Sequence, residues 1–298
     1  MKTHANGIDI EYERFGHEPD HSKPCVALIM GLGMQMIAWP MALIEGLVEQ
    51  GFEVLRFDNR DIGLSTFFDH KGVPNILWAG IKVNLGLKVR SPYTLTDMAN
   101  DTIGLFDALG LKKVHVVGAS MGGMIAQLVA SNHPHRVLSL TSIMSTSGRA
   151  SLPGPTAKAR GALLSRPSNP HDRNSIASHF LRVYRTIGSP NPTESDAEVK
   201  ARILEGIERS YHPVGTARQL MAVAADGSRV ERLKAIKAPT LVIHGEADPL
   251  VPIAAGRDTA ASIPGAQFIS VPGMGHDLTP VPLKTVQREL ISFLKKLN

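Results

Sequence analysis

A single cysteine, Cys25, stands among 298 residues, so no intramolecular disulfide can form and no cluster of thiolates exists to hold a metal. That scarcity favours a reducing compartment. Residues 1–13 also lack the apolar stretch of a secretion signal, and a cytoplasmic protein is expected. An uncharged stretch over residues 24–44 is broken by Gly31, Gly33, Gln35 and Pro40, which suits a buried strand, loop and helix start better than a membrane span. Blocks of one charge sign are missing too. The 32 basic and 27 acidic residues are scattered, without the clustered basic stripe and interleaved aromatics of a nucleic-acid surface. Twelve histidines include no HExxH and no Cys/His cluster; the nearest pair, His133 and His135, flank Pro134 in a surface-turn pattern. Neither a metal nor an organic cofactor is expected. Internal repeats and low-complexity tracts are absent.

What is present is ordinary globular material, 43% hydrophobic and 20% charged, enough to bury a sizeable core. Residues 2–15 read as a hairpin turning at Asn6-Gly7. Strand-length apolar runs at 25–30, 53–57, 114–117, 137–143, 240–244 and 268–271 then alternate with helix-period segments at 39–50, 96–109, 121–131, 253–263 and 281–297. This alternation predicts an α/β fold, a mostly parallel sheet with helices on both faces. Between 145 and 228 the strand rhythm stops and Pro/Gly-rich pieces separate helical patches. The expected organisation is a core at 1–144, an inserted helical cap at 145–228, and the rest of the core at 229–298.

Gly118-Ala119-Ser120-Met121-Gly122 follows one of these strands directly and opens a helix. A sharp strand-to-helix turn lifts the serine hydroxyl above the sheet and demands small residues two before and two after, as Gly118 and Gly122 provide. The helix N-terminus offers the Met121 N–H to a developing oxyanion. A phosphate-cradling loop is the rival reading, but Ser120 stands where a dinucleotide fingerprint wants glycine and no Lys-Ser/Thr pair follows. A nucleophilic serine needs a base, and the base needs an orienting carboxylate. Asp248 follows the strand at 240–244, and His276 follows the strand at 268–271. Both lie past C-terminal strand ends, where open α/β sheets place their ligands.

The order Ser120, Asp248, His276, with the Gly118–Gly122 turn, resembles the α/β-hydrolase family along nearly the whole chain. Met30-Gly31-Leu32, Trp39-Pro40 and Gly118-Ala119-Ser120-Met121-Gly122 are similar to small capped bacterial esterases of the aclacinomycin methylesterase type. The resemblance implies a second oxyanion donor, the backbone N–H of Leu32, with Gly33 as the fallback; Met30 stands where many members carry His. It also likens residues 58–65 to a loop that shapes the site rim, with Asp61 where glycine is usual.

The expected activity is hydrolysis of small to medium hydrophobic carboxylic esters through an acyl-enzyme on Ser120, with a small-molecule ester as substrate, no nucleic-acid partner and no membrane span, and with the oligomeric state open. Carbon–carbon hydrolysis, lactone opening, peptidase or perhydrolase chemistry would use the same three residues, and a ligand-sensing protein is a reading from another class. His244 and His115 read as packed strand residues. Asp226 and Glu246 are the alternative carboxylates to Asp248. The apolar run over residues 76–87, which includes Trp78, is expected either to pack against the cap or to line an acyl or aromatic pocket.

Overall fold

The alternating runs assemble into one eight-stranded sheet in a computed structural model that describes residues 1–18 and 22–297, apart from the side chains of residues 83 and 84. The strands are β1 (Lys2–Ala5), β2 (Ile8–Phe15), β3 (Cys25–Ile29), β4 (Glu53–Phe57), β5 (Val114–Ala119), β6 (Val137–Ile143), β7 (Thr240–Gly245) and β8 (Gln267–Val271), in the spatial order 1-2-4-3-5-6-7-8. Only β2 runs against its neighbours; the other pairings are parallel. The β1–β2 hairpin turns at Asn6 and Gly7, whose positive φ of 50° and 76° suits the twist of the two strands.

The helices are α1 (Met41–Glu49), α2 (Ile76–Asn84), α3 (Leu95–Ala108), α4 (Met121–Asn132), α5 (Ala157–Leu164), α6 (Arg173–Ile187), α7 (Asp196–Arg209), α8 (Pro213–Asp226), α9 (Val230–Lys234), α10 (Ile253–Ser262) and α11 (Pro280–Lys295). A reciprocal Thr94/Asp97 capping box opens α3, and Gly110, at φ 69°, ends it. Strands β3 to β7 are almost wholly buried on both faces, with side chains alternating between two core clusters, while the edge strand β8 is largely half-buried. Along β3, Ala27 and Ile29 join α3 and α4 on one side, while Val26 and Leu28 join α1 and α11 on the other. Parallel pairing aligns the C-terminal ends of β3, β4, β5, β7 and β8 on a single edge, and the loops that carry Leu32, Asp61, Ser120, Asp248 and His276 rise from it.

Helices α5 to α8 form the excursion between β6 and α9. Helices α5, α6 and α7 pack on one another in sequence. Helix α8 reaches further and sends Ala222 into the core cluster on the α3/α4 side. It is held there by Arg218, whose guanidinium makes a two-pronged ion pair with Asp61, at 2.8 Å from Nε to Oδ2 and 2.7 Å from NH2 to Oδ1. Both side chains are fully buried.

The run over residues 76–87 meets the expectation only in part. The sequence gives it apolar residues all round, and nine residues wound as a helix can turn only one stripe inward. α2 packs on α8 and buries Ala79, leaving Leu77, Trp78, Ile81, Leu85 and Leu87 exposed. Val83 belongs to the same run, and its side chain lies outside the described residues. Trp78 and Ala79 do border a hollow of about 360 Å³ with Met221 of α8, but most of the run meets neither core nor pocket wall. Among the described residues no helix is long and apolar enough to cross a membrane.

Candidate active site

Ser120 is the single residue between the end of β5 and the start of α4, and its backbone takes φ 55° and ψ −119°. That region is costly for a residue with a side chain and persists only where the surroundings enforce it. They do so by close packing. A Cβ on Gly118 would sit 2.1 Å from the Gly122 carbonyl oxygen, and one on Gly122 would sit 2.0 Å from the Ile29 carbonyl oxygen. Ser120 occupies the N-cap position of α4 yet makes no capping bond. Its hydroxyl points instead at His276, with Oγ 2.9 Å from Nε2.

The other ring nitrogen of His276, Nδ1, lies 2.7 Å from Asp248 Oδ2. The Asp248 carboxylate is buried and fixed from behind, since Oδ1 accepts the backbone N–H groups of Leu250 at 2.9 Å and Val251 at 2.8 Å. An unbroken hydrogen-bonded row therefore runs from Ser120 through His276 to Asp248, spanning three separate strand-end loops. The structure brings together all three residues that the sequence singled out.

The loop after β3 closes on the serine. A Cβ on Gly31 would lie 3.2 Å from Ser120 Cβ, so this backbone passes directly beside the serine. Among the described residues the N–H groups of Leu32 and Met121 have no protein acceptor. The fallback donor fails: the Gly33 N–H is committed to Gln219 Oε1 of α8 at 2.9 Å. Gln219 in turn donates to the Arg60 carbonyl, so one buried side chain ties this loop to the one after β4.

Within residues 58–65, Asp58, Asn59, Arg60, Asp61 and Ser65 form a buried polar layer, while Leu64 is exposed. Asp58 accepts the Met36 and Leu64 N–H groups and pairs with Arg209 from the end of α7 at 2.8 Å. Burial nonetheless pushes its carboxyl above the usual range. Arg60 pairs with Asp101, and Asp61 with Arg218. Asp61 keeps φ 68°, a left-handed conformation that glycine adopts more easily; its carboxylate also accepts the Phe68 N–H.

The alternative residues are otherwise engaged. Asp226 is bound to Arg229, and Glu246 is exposed. His115 is buried and bonded to Ser139. His244 donates from Nε2 to the Val251 carbonyl at 2.7 Å, and its Nδ1 has no partner. Its position 3.6 Å from Asp248 is too long for a hydrogen bond, and burial holds its pKa below the ordinary histidine value. The pattern is that of a neutral, packed strand-end side chain. No group of metal-ligating side chains forms among the described residues.

One set of partners escaped sequence reading. The N–H of His276 donates to the Ile187 carbonyl at the end of α6. Next door, Asp277 accepts both the N–H and the hydroxyl of Ser189 at 2.6 Å, and the Ser189 oxygen accepts the Gly275 N–H. Only the adjacency of Asp277 to His276 hinted at this. Nothing local marks Ser189.

Residues 24–280 match the family model described as the alpha/beta hydrolase fold. The chain is 27% identical over 271 residues to the rhodomycin D methylesterase DauP of Streptomyces sp. (strain C5), covering 84% of each protein. Among solved structures it resembles the enol-lactonase of Burkholderia xenovorans LB400, with TM-score 0.74, 21% identity, and 99% and 100% of the two chains covered. It also resembles the meta-cleavage product hydrolase CumD of Pseudomonas fluorescens IP01, with TM-score 0.78, 19% identity, and 100% and 98% covered.

Proposed function

Since the chain belongs to the alpha/beta hydrolase fold family, we propose that it is a serine hydrolase that cleaves carboxylic esters of small to medium hydrophobic molecules through an acyl-enzyme on Ser120. The observation that carries this reading is the row Ser120 Oγ, His276 Nε2, Asp248 Oδ2, with links of 2.9 and 2.7 Å. A base within hydrogen-bond reach of a hydroxyl, itself oriented by a buried carboxylate, is what nucleophilic activation requires.

In the forward half-reaction His276 Nε2 takes the Ser120 proton as Oγ attacks the ester carbonyl. Asp248 holds the Nδ1–H tautomer and stabilises the imidazolium that forms. The carbonyl oxygen becomes the oxyanion, received by the N–H groups of Met121 and Leu32, each such donor lowering the barrier by roughly 3 kcal/mol. Collapse expels the alcohol, which takes its proton from Nε2. A water, deprotonated by the same nitrogen, then attacks the acyl-enzyme and releases the acid and Ser120. Every proton passes through His276, and no step calls for a cofactor.

The methylesterase relative supports an ester with a small alcohol. We take residues 145–228 as the cap over this site, because Thr216 and Gln219 of α8 and Arg209 of α7 all meet the loops that flank Ser120. A fluorophosphonate probe should label Ser120, and Ser120→Ala should lower ester turnover by roughly four orders of magnitude while the protein stays folded. Activity retained in that variant would move the nucleophile elsewhere. An ester panel varying acyl and alcohol parts separately, run beside lactones and carbon–carbon substrates, identifies the bond.

A further inference from the structure

The apolar strap around α2 is left unexplained by the catalytic reading. No acidic residue lies between Asp69 and Asp97, whereas Lys71, Lys82, Lys88 and Arg90 do. These four cations account for all but one of the chain's formal excess of five positive charges. None of them makes an ion pair among the described residues. Beside them the apolar side chains stand in solvent: Leu77 is 79% exposed, Val73 76%, Leu85 67%, and Trp78 and Leu87 55% each. Leu77, Ile81 and Leu85 follow one another at four-residue spacing, so they share a stripe of the helix and its extension. Lys82 sits against the Trp78 ring, its Nζ 5.8 Å from the centroid.

We propose that this strap docks the protein onto an anionic lipid bilayer surface, with the Leu77, Trp78, Ile81 and Leu85 stripe entering the headgroup boundary and the four cations meeting lipid phosphates. Exposed apolar area of this kind marks an interaction surface. The charge pattern decides which partner fits. Tryptophan and leucine on one side with unpaired lysines and arginine around them is the composition of an interfacial amphipathic segment, and anionic headgroups supply the charge the strap lacks. A second copy of the chain fits poorly, because a two-fold contact would set the same four unpaired cations against themselves. At nine residues α2 lies on a bilayer rather than crossing it. The face is one helix away from the candidate site, since α2 packs on α8 and α8 holds Gly33 through Gln219.

The chain's two tryptophans make the test direct, because Trp39 is buried and Trp78 is not. The full-length protein is mixed with phosphatidylcholine vesicles, with or without phosphatidylglycerol, at low and high salt, and followed by co-sedimentation and tryptophan emission. Expected results are pelleting and a blue shift only with phosphatidylglycerol, weakened by salt. The shift should vanish in Trp78→Phe. Leu77→Gln/Leu85→Gln and Lys88→Gln/Arg90→Gln should each weaken binding about tenfold or more, with an unchanged circular dichroism spectrum. Equal pelleting with neutral vesicles, no pelleting at all, or binding indifferent to both double variants overturns the proposal. A concentration-dependent dimer abolished by Leu77→Gln/Leu85→Gln, without vesicle binding, would assign the face to self-association instead.

Discussion

The backbone N–H of His276 donates to the carbonyl of Ile187 at 2.8 Å, which ties the ring facing Ser120 to the last turn of a helix outside the sheet. Asp277 and Ser189 reinforce the tie with two short hydrogen bonds. Asp277→Ala should therefore let the His276 loop drift and lower kcat by about a hundredfold, the usual penalty for a displacement near 1 Å. KM should change little. Titration of active sites with a fluorophosphonate separates this from simple unfolding: the labelled fraction should stay complete while labelling slows. A fall in kcat that matches the loss of labelled sites would reduce Asp277 to a folding role.

Two histidines approach Asp248, and only one faces the serine. His276→Gln should cost roughly four orders of magnitude in kcat/KM, whereas His244→Gln should leave serine labelling nearly intact. The reverse outcome would exchange their roles.

His244 also leaves a mark on stability. Its folded pKa lies below the unfolded one because burial disfavours the imidazolium. The unfolded chain therefore takes up a proton first as pH falls below about 6.5, and stability is lost from there down to the folded pKa. One such proton contributes up to about 1.4 kcal/mol per pH unit. Urea unfolding at several pH values should show a shallower acid loss for His244→Gln than for the parent. Identical slopes would assign the loss to other groups.

Arg218 and Asp61 form a fully buried pair, and while Arg218 also reaches Asp69 and the Gly72 carbonyl, removing Arg218 strands the Asp61 carboxylate. Arg218→Met should destabilise by about 3–5 kcal/mol. Adding Asp61→Gly should recover part of that loss, because it removes the stranded carboxylate and relaxes a φ of 68°. Recovery is incomplete, since the Phe68 N–H then lacks its acceptor. Additive losses in the double-variant cycle would contradict the pairing.

At the serine turn, Gly118→Ala and Gly122→Ala each drive a methyl into rigid backbone. Each should cost about 3 kcal/mol or more, while Gly154→Ala, with nothing within 4 Å of the added methyl, should be nearly neutral. Equal melting temperatures for all three would refute the steric account.

What could be read from the sequence follows from the range of each interaction. Gly118, Ser120 and Gly122 lie within five residues, and their strand–turn–helix setting is visible in hydrophobic period alone. Asp248 and His276 were legible because each follows an apolar run by a few residues. Gly110 announced the end of α3 in the same local way. The ties of Arg218 to Asp61 and of Ser189 to Asp277 join positions 157 and 88 residues apart. No periodicity records a partner so distant. The outward face of α2 was hidden for another reason: an apolar helix exposed on one side and one buried all round have the same sequence pattern.

The fully buried Asp61–Arg218 pair also restricts how the chain can change. With glycine at position 61, Arg218 keeps only Asp69, itself 64% exposed, and the Gly72 carbonyl as partners beneath α8. With an apolar residue at 218, Asp61 is left as a stranded carboxylate in a strained turn. Either single change costs stability that the second restores in part. Substitution at the two positions is therefore coupled, and the seat of α8 narrows the set of side chains that the loop after β4 accepts.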